Sequence, residues 1–89
     1  MLHLTDMAIE LIQDLVLEAE LPDGGLRIAQ PVERLGLCME LAPAPREADD
    51  VLRERGASVF LDQAAAMRLD DQTLDARRDP SSSAFFLNA

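Results

Sequence analysis

The sequence contains one cysteine and one histidine, and it contains no tryptophan, no tyrosine and no lysine. The single cysteine, Cys38, excludes an intramolecular disulfide and leaves an intermolecular one open. A nucleophilic site built on Cys38 or on Ser81, Ser82 and Ser83 would have to take its imidazole base from His3, close to the N-terminus. The sequence also lacks a phosphate-binding glycine loop. These absences predict that the chain is not an enzyme.

Long hydrophobic runs are absent as well. No apolar segment approaches the ~20 residues of a membrane-spanning helix, and residues 1–6 lack the basic start of a secretory signal. We therefore expect a cytoplasmic protein without a membrane partner. The net charge of -9 repels phosphate backbones and argues against a nucleic-acid partner. All eight basic residues are arginine, a usage that suggests a GC-rich bacterial genome.

The composition that remains is that of one small folded domain. Hydrophobic residues make up 48% of the chain and charged residues 28%, which is ordinary for a globular protein. A length of 89 residues predicts a single domain spanning residues 1–89. Such a domain buries only about 60–65% of its unfolded surface, so we expect it to associate into a homo-oligomer, with a dimer as the simplest form.

The first predicted element is an amphipathic helix. Thr5 is a suitable N-cap, and Asp6 lies near the positive end of the helix dipole. The apolar positions recur at helical spacing on one stripe, namely Ala8, Leu11, Ile12, Leu15, Val16 and Ala19. Leu17 lies on the polar face, where it is either a partner contact or a single exposed leucine.

Short strands are predicted after the turn at residues 22–25. Leu26 and Ile28 alternate with Arg27 and Ala29, and a second alternation places the odd positions from 35 to 41 on one face. The acidic segment 47–50 follows two prolines and is typical of a solvated loop. Two further extended segments, 51–55 and 57–61, are separated by Gly56.

The last third of the sequence predicts one short helix and a closing strand. Asp62 is a suitable cap for a helical stretch that includes residues 64–67. Residues 69–74 have the polar centre of a turn between short strands. Residues 80–83 then break the chain before an apolar strand over residues 84–87.

Several of these segments match one protein family in order and spacing. They are Leu2-x-Leu4-Thr5-x-x-Ala8, Gly25-Leu26-Arg27-Ile28, Met39-Glu40-Leu41, Gly56-x-x-Val59-x-Leu61-Asp62, Leu69-Asp70-x-x-x-Leu74-Asp75 and Phe85-x-x-Asn88. In this order they resemble the HesB/IscA-like A-type iron–sulfur carriers from end to end. The resemblance implies an α+β fold, a compact domain whose N-terminal helix packs on short mixed β-strands. It also implies a dimer or tetramer that accepts iron or an iron–sulfur cluster and passes it to apo-proteins.

The sequence departs from this family at the cysteines. The family carries its first cysteine in a glycine-flanked loop between the first two core strands, whereas residues 31–36 read Pro-Val-Glu-Arg-Leu-Gly here. The family's Cys-x-Cys pair near the C-terminus does not occur in these 89 residues. Matching Glu40 to the family's glutamate places Cys38 inside a strand, on the same face as Glu40.

The remaining ligand candidates are few. Iron–sulfur clusters are normally held by four thiolates, and Cys38 supplies one per chain or two across a dimer. Cysteine in a strand more often packs as a small hydrophobe, so Cys38 is a weak metal candidate. His3 is more often simply exposed, and the pairs Asp49-Asp50 and Asp70-Asp71 lack calcium-loop spacing. We therefore predict no cofactor and no catalytic, cofactor-binding or metal residues, with iron or an iron–sulfur cluster as the alternative.

Three functions remain open. The first is a non-enzymatic HesB/IscA-like protein related to iron–sulfur biosynthesis that has lost its ligands and acts through protein–protein association, with iron–sulfur assembly proteins as partners. The second is an iron or iron–sulfur carrier that uses Cys38 across a subunit interface. The third is a small acidic interaction module with no connection to iron–sulfur assembly.

Overall fold

A computed structural model describes residues 1–33 and 35–89 of the chain, and Arg34, which the sequence predicts to lie in a loop, falls outside the described residues. The described residues form two helices and seven strands. In chain order these are β1 (His3–Leu4), α1 (Asp6–Glu18), β2 (Gly25–Ala29), β3 (Cys38–Ala42), β4 (Asp50–Glu54), β5 (Ala57–Leu61), α2 (Gln63–Arg68), β6 (Thr73–Arg78) and β7 (Ser83–Asn88).

The strands form two mixed sheets. One has the order β1-β6-β7, with β1 parallel and β7 antiparallel to β6. The other has the order β3-β2-β5-β4, in which β2 and β5 are parallel and the two outer strands are antiparallel to their neighbours. Helix α1 packs against β6 of the smaller sheet and against β2 and β5 of the larger one. The predicted α+β fold, with an N-terminal helix on short mixed strands, is confirmed.

Helix α1 begins where the sequence predicts. The Thr5 hydroxyl oxygen accepts a hydrogen bond from the Ala8 backbone N–H at 3.2 Å, which satisfies one of the N–H groups that a helix start leaves unpaired. The buried residues of the helix are Ala8, Ile9, Leu11 and Ile12. Leu17 is 79% exposed, so it takes no part in the core. None of the helices in the described part of the chain is long and apolar enough to cross a membrane.

One hairpin turn and one capping residue connect elements of the larger sheet. Arg55 and Gly56 both have positive φ, 49° and 82°, as in the two-residue hairpin turns that match the twist of the flanking strands. This hairpin joins β4 to β5 and confirms the predicted break at Gly56. Asp62 follows β5 and caps α2, because one of its carboxylate oxygens accepts the Ala65 N–H at 2.8 Å. Its other oxygen accepts the Gln30 N–H at 3.0 Å, at the end of β2.

Strand β3 is shorter than the sequence predicts. The alternation of leucines suggested that Leu35 belongs to this strand, but β3 begins at Cys38 and Leu35 is 95% exposed. The reason lies in β2, the strand with which β3 pairs. The Ile28 carbonyl accepts from Asp62 on the β5 side, so the backbone groups of β2 that face β3 are those of Arg27, Ala29 and the next alternate position, Pro31. Pro31 has no N–H to give, so the β2 ladder ends at the pair of Ala29 and Cys38.

The polar segment at residues 69–74 also differs from the prediction. It does not join two strands, because Leu69 ends helix α2 by donating its N–H to the Ala65 carbonyl at 2.9 Å. A turn follows, closed by the hydrogen bond from the Gln72 N–H to the Leu69 carbonyl at 3.0 Å. Thr73 and Leu74 already belong to β6. The helix predicted after Asp62 therefore extends to Arg68 and leaves no room for a strand before the turn.

Candidate functional site around Cys38

Cys38 lies on the face of the larger sheet that points away from α1. In the antiparallel ladder of β2 and β3, Ala29 is opposite Cys38 and Arg27 is opposite Glu40. Residues directly opposite one another in such a ladder share a face. The prediction that Cys38 and Glu40 share a face is confirmed. Cys38 is half-buried, which is less than the full burial typical of a cysteine that packs as a small hydrophobe.

Cys38 lines an open depression of about 320 Å³ on this face. The lining residues are Arg27, Ala29, Pro31, Glu33, Cys38, Glu40 and Arg46. They present one thiol, two carboxylates and two guanidinium groups. The depression is therefore a polar surface of mixed charge rather than an apolar ligand pocket.

A buried ion pair forms the floor of this surface. The Arg27 side chain donates from Nε and Nη2 to the two carboxylate oxygens of Asp49, both at 2.9 Å. The two side chains are only 9% and 2% exposed. The Arg46 backbone N–H also donates to Asp49 at 2.9 Å. The interpretation of residues 47–50 as a solvated loop is wrong for Asp49, whose side chain holds the loop after β3 against the middle of β2.

The ion pair shifts the pKa of both partners. The hydrogen bonds from Arg27 hold the pKa of the Asp49 carboxyl below its usual range, helped by the Arg46 N–H, while burial opposes the shift. The pKa of Arg27 is raised, chiefly by its hydrogen bonds to Asp49 and in spite of its own burial. Both groups are therefore charged at neutral pH, as a buried pair must be if neither is to be left uncompensated.

The lowered pKa of Asp49 predicts acid sensitivity. The carboxyl has an unfolded-state pKa of about 3.9, so the stability it contributes is fully present above that pH and is lost as the pH falls through its lower folded-state pKa. We expect the urea midpoint to fall between pH 5 and about pH 2–3. The Asp49→Asn variant has no carboxyl to protonate at this position, so its urea midpoint should fall less over the same pH range. Equal losses in the two proteins would contradict the assignment.

The other candidate residues are not brought together. His3 is exposed and pairs with Thr73 at one end of β6, whereas Ser83 pairs with Arg78 five residues further on, about 17 Å along the strand. Cys38 lies on the other sheet. No nucleophile of this set therefore has an imidazole beside it.

The acidic pairs do not form cation sites in the described residues either. Asp49 is occupied by Arg27, and Asp70 accepts a hydrogen bond from the N-terminal ammonium of Met1 at 2.6 Å. Among residues 1–33 and 35–89, no group of three or more histidine, cysteine, aspartate or glutamate side chains is placed to hold a metal ion. Around Cys38, the available neighbours are carboxylates and guanidinium groups rather than the thiolates that iron–sulfur clusters require. One chain by itself therefore does not fit an iron–sulfur cluster.

Several solved structures share this fold. Escherichia coli SufA, involved in the biosynthesis of iron–sulfur clusters, is 26% identical with a TM-score of 0.77, and the match covers 98% of this chain and 83% of SufA. IscA with a [2Fe-2S] cluster is 22% identical with a TM-score of 0.68, covering 99% and 84%. A protein from Aquifex aeolicus is 24% identical with a TM-score of 0.77, covering 99% and 90%. No family model and no curated protein matches the sequence.

Proposed function

From its HesB/IscA-like α+β fold, we propose that this protein is a cytoplasmic, non-enzymatic member of the iron–sulfur biosynthesis machinery that holds no cluster of its own. It acts through association with other proteins, iron–sulfur assembly proteins among them. The likeness to SufA over 98% of the chain supports the connection to iron–sulfur biosynthesis. The observation that carries the proposal is the combination of this fold with a single thiol, placed in strand β3 and surrounded by charged side chains.

The charged surroundings of Cys38 support the loss of cluster ligation. A thiolate cluster site needs several sulfur donors pointing to one place. On this face, the positions beside Cys38 are taken by Ala29, Glu40 and the Arg27–Asp49 pair. The loop that joins β2 to β3 has no cysteine in its sequence. The chain keeps the fold but lacks the cysteine thiolates that would hold a cluster. Its surface remains available for binding other proteins.

Association with a cysteine-bearing relative is the expected behaviour. The chain should form a complex with a purified HesB/IscA-like protein from the same organism that carries the cysteine ligands, because the two share a fold and can share an interface. Native mass spectrometry of the mixture should show a heteromeric species, with an unrelated acidic protein of similar size as the control. If the mixture shows no more complex than this control, the third function, an acidic interaction module outside iron–sulfur assembly, is favoured instead.

A second candidate function is an iron or iron–sulfur carrier that uses Cys38 across a subunit interface. The half-burial of Cys38 in an open depression favours it, since a ligand must be reachable from solvent. Two copies would supply two thiolates, and glutathione or a partner protein would complete the coordination. Cys38→Ser would then abolish metal uptake, whereas an unchanged metal content would exclude this candidate.

A further inference from the structure

Strand β7 leaves one edge of the smaller sheet open. The sheet order β1-β6-β7 makes β7 a terminal strand, and no strand of the described residues pairs with its outer side. The Asp79 N–H donates to the Ser82 carbonyl at 2.9 Å at the start of the β6–β7 ladder. Because hydrogen-bonded pairs alternate along an antiparallel ladder, the backbone groups of Ser83, Phe85 and Leu87 point away from β6. These groups form a row of donors and acceptors ready for another strand.

This edge lacks the features that keep other edges from pairing. Strand β4 carries charged residues along its length, β3 carries Glu40 and is followed by Pro43, and β1 has only two residues. Charge, proline and shortness are the usual protections of a terminal strand. Strand β7 has six residues, Ser-Ala-Phe-Phe-Leu-Asn, with no charge and no proline. Among the edges of both sheets, β7 is therefore the one suited to accept an added strand.

We propose that the partner of this edge is a second copy of the same strand, paired antiparallel about a twofold axis through Phe85. In this register Phe85 faces Phe85 of the second copy, Ser83 faces Leu87 and Ala84 faces Phe86. Every large side chain except the central one lies opposite a small one. The three outward-pointing residues of each strand form about six backbone hydrogen bonds across the axis.

Other registers fit less well. A twofold axis perpendicular to the sheet pairs residues whose side chains lie on the same face. Moving the axis by one residue along β7 therefore shifts the partner of every residue by two positions. Centring it on Phe86 would place Ala84 opposite Asn88 and Phe85 opposite Leu87, and would leave Ser83 beyond the partner's β7. That register loses both the size matching and about two of the hydrogen bonds.

The side chains on both faces of the sheet suit this arrangement. Phe85 and Leu87 are half-buried against the core, and the second copy would cover their open sides. On the opposite face Phe86 is 38% exposed, and Arg77 lies beside Ala84. Ala84 is small enough for the Arg77 guanidinium to extend over it towards the Phe86 ring of the second copy, a favourable cation–π geometry. The result is one continuous sheet of six strands.

The charge of the protein sets the salt dependence of this dimer. Each chain carries a net charge of -9, so two chains repel one another at low ionic strength. The contact strand itself is uncharged, and salt therefore screens the repulsion without weakening the contact. The dimer should be favoured by added salt, the reverse of an interface held by ion pairs. The inference does not depend on the proposed role in iron–sulfur biosynthesis.

Sedimentation analysis of the full chain tests the inference. All proteins carry Cys38→Ser, which removes intermolecular disulfides through the native cysteine. We expect a reversible dimer that strengthens with salt. Ser83→Pro, which removes an outward N–H at the first position of the strand, and Phe86→Lys should each weaken it by about tenfold or more. Leu17→Lys changes an exposed leucine on α1 and should leave the dimer intact, while circular dichroism confirms that all variants fold.

The register is tested by disulfide trapping between two different variants. Ala84→Cys and Phe86→Cys chains, both with Cys38→Ser, are mixed and oxidised. The proposed pairing places the two new thiols directly opposite each other, so mixed disulfide dimers should clearly exceed the 2:1:1 ratio of mixed dimer to each homodimer that random pairing of equal amounts gives. The proposal would be overturned by a monomeric parent protein. It would also be overturned if the Ser83→Pro and Phe86→Lys variants dimerise as strongly as the parent, or if mixed disulfides form no more often than random pairing gives.

Discussion

Asp49→Ala is expected to lower the free energy of unfolding by about 3–5 kcal/mol, because it leaves the Arg27 guanidinium buried without its counter-charge. Arg27 is in the middle of β2, whose five residues are all buried, and its side chain is only 9% exposed, so its charge would lose its counter-charge in a largely desolvated position. Asp49 also accepts the Arg46 N–H, so the loop after β3 loses its anchor as well. For a domain of this size the melting temperature should fall by roughly 15–30 °C.

The neighbouring residue supplies the control for this prediction. Asp50→Ala removes an exposed carboxylate one position further on and should change the stability by only about 0.5 kcal/mol. The double variant Arg27→Met with Asp49→Leu removes both charges, and it should be more stable than Asp49→Ala alone. Urea denaturation followed by circular dichroism measures all three variants. An Asp49→Ala loss no larger than that of Asp50→Ala would show that the ion pair does not stabilise the fold.

Gly25→Ala is expected to destabilise the protein by about 3 kcal/mol through a backbone clash. A Cβ at this position would lie 2.3 Å from the Ser58 carbonyl oxygen, and that oxygen belongs to the neighbouring central strand β5. The two parallel strands would have to separate, which disturbs the middle of the larger sheet.

Gly36→Ala is the matched control for Gly25→Ala. A Cβ at Gly36 would meet no atom within 4 Å, so this change should alter the stability by less than about 0.5 kcal/mol. Thermal melts of the two variants under identical conditions give the comparison. Similar melting temperatures for both would mean that β2 and β5 do not approach each other as closely as described.

Much of the fold could be predicted because its signals are local. Thr5 and Asp62 are cap residues placed just before helical segments, and both cap helices in the structure. The glycine at position 56 marks a two-residue hairpin, and the apolar segment after Pro80 forms the closing strand β7. The prediction that Leu35 belongs to β3 was wrong. Alternating leucines can extend in sequence beyond the last residue that the neighbouring strand is able to pair.

The ion pair under the candidate site could not be predicted in the same way. Arg27 and Asp49 are 22 residues apart in sequence, and an arginine in an alternating strand is normally assigned to an exposed face. One signal was available, since Arg27 is the only charged residue in a strand of otherwise apolar or small side chains. A buried arginine needs a carboxylate partner. The sequence by itself does not show which of the seventeen acidic residues provides it.

The single cysteine gave information about function rather than about fold. The presence of one cysteine in a HesB/IscA-like sequence suggested lost ligands, and the likeness to SufA and IscA confirms the fold on which that interpretation depends. The sequence also placed Cys38 correctly on the same face as Glu40. Its half-burial and its charged neighbours Arg27 and Arg46 depend on how the loop after β3 folds back, which only the tertiary structure specifies.

Anaerobic reconstitution with iron and sulfide decides whether this chain holds a cluster of its own. The native protein and Cys38→Ser are incubated, desalted and assayed for iron and sulfide per chain, with visible absorbance recorded in parallel. The chain has no tryptophan or tyrosine, so its own absorbance interferes little with that of a cluster. Because one thiol per chain is too few for a cluster, we expect both proteins to remain equally free of stoichiometric iron and sulfide. Stoichiometric uptake by the native protein that is lost in Cys38→Ser would refute the loss of cluster ligation and make the chain a carrier that coordinates its cluster between subunits.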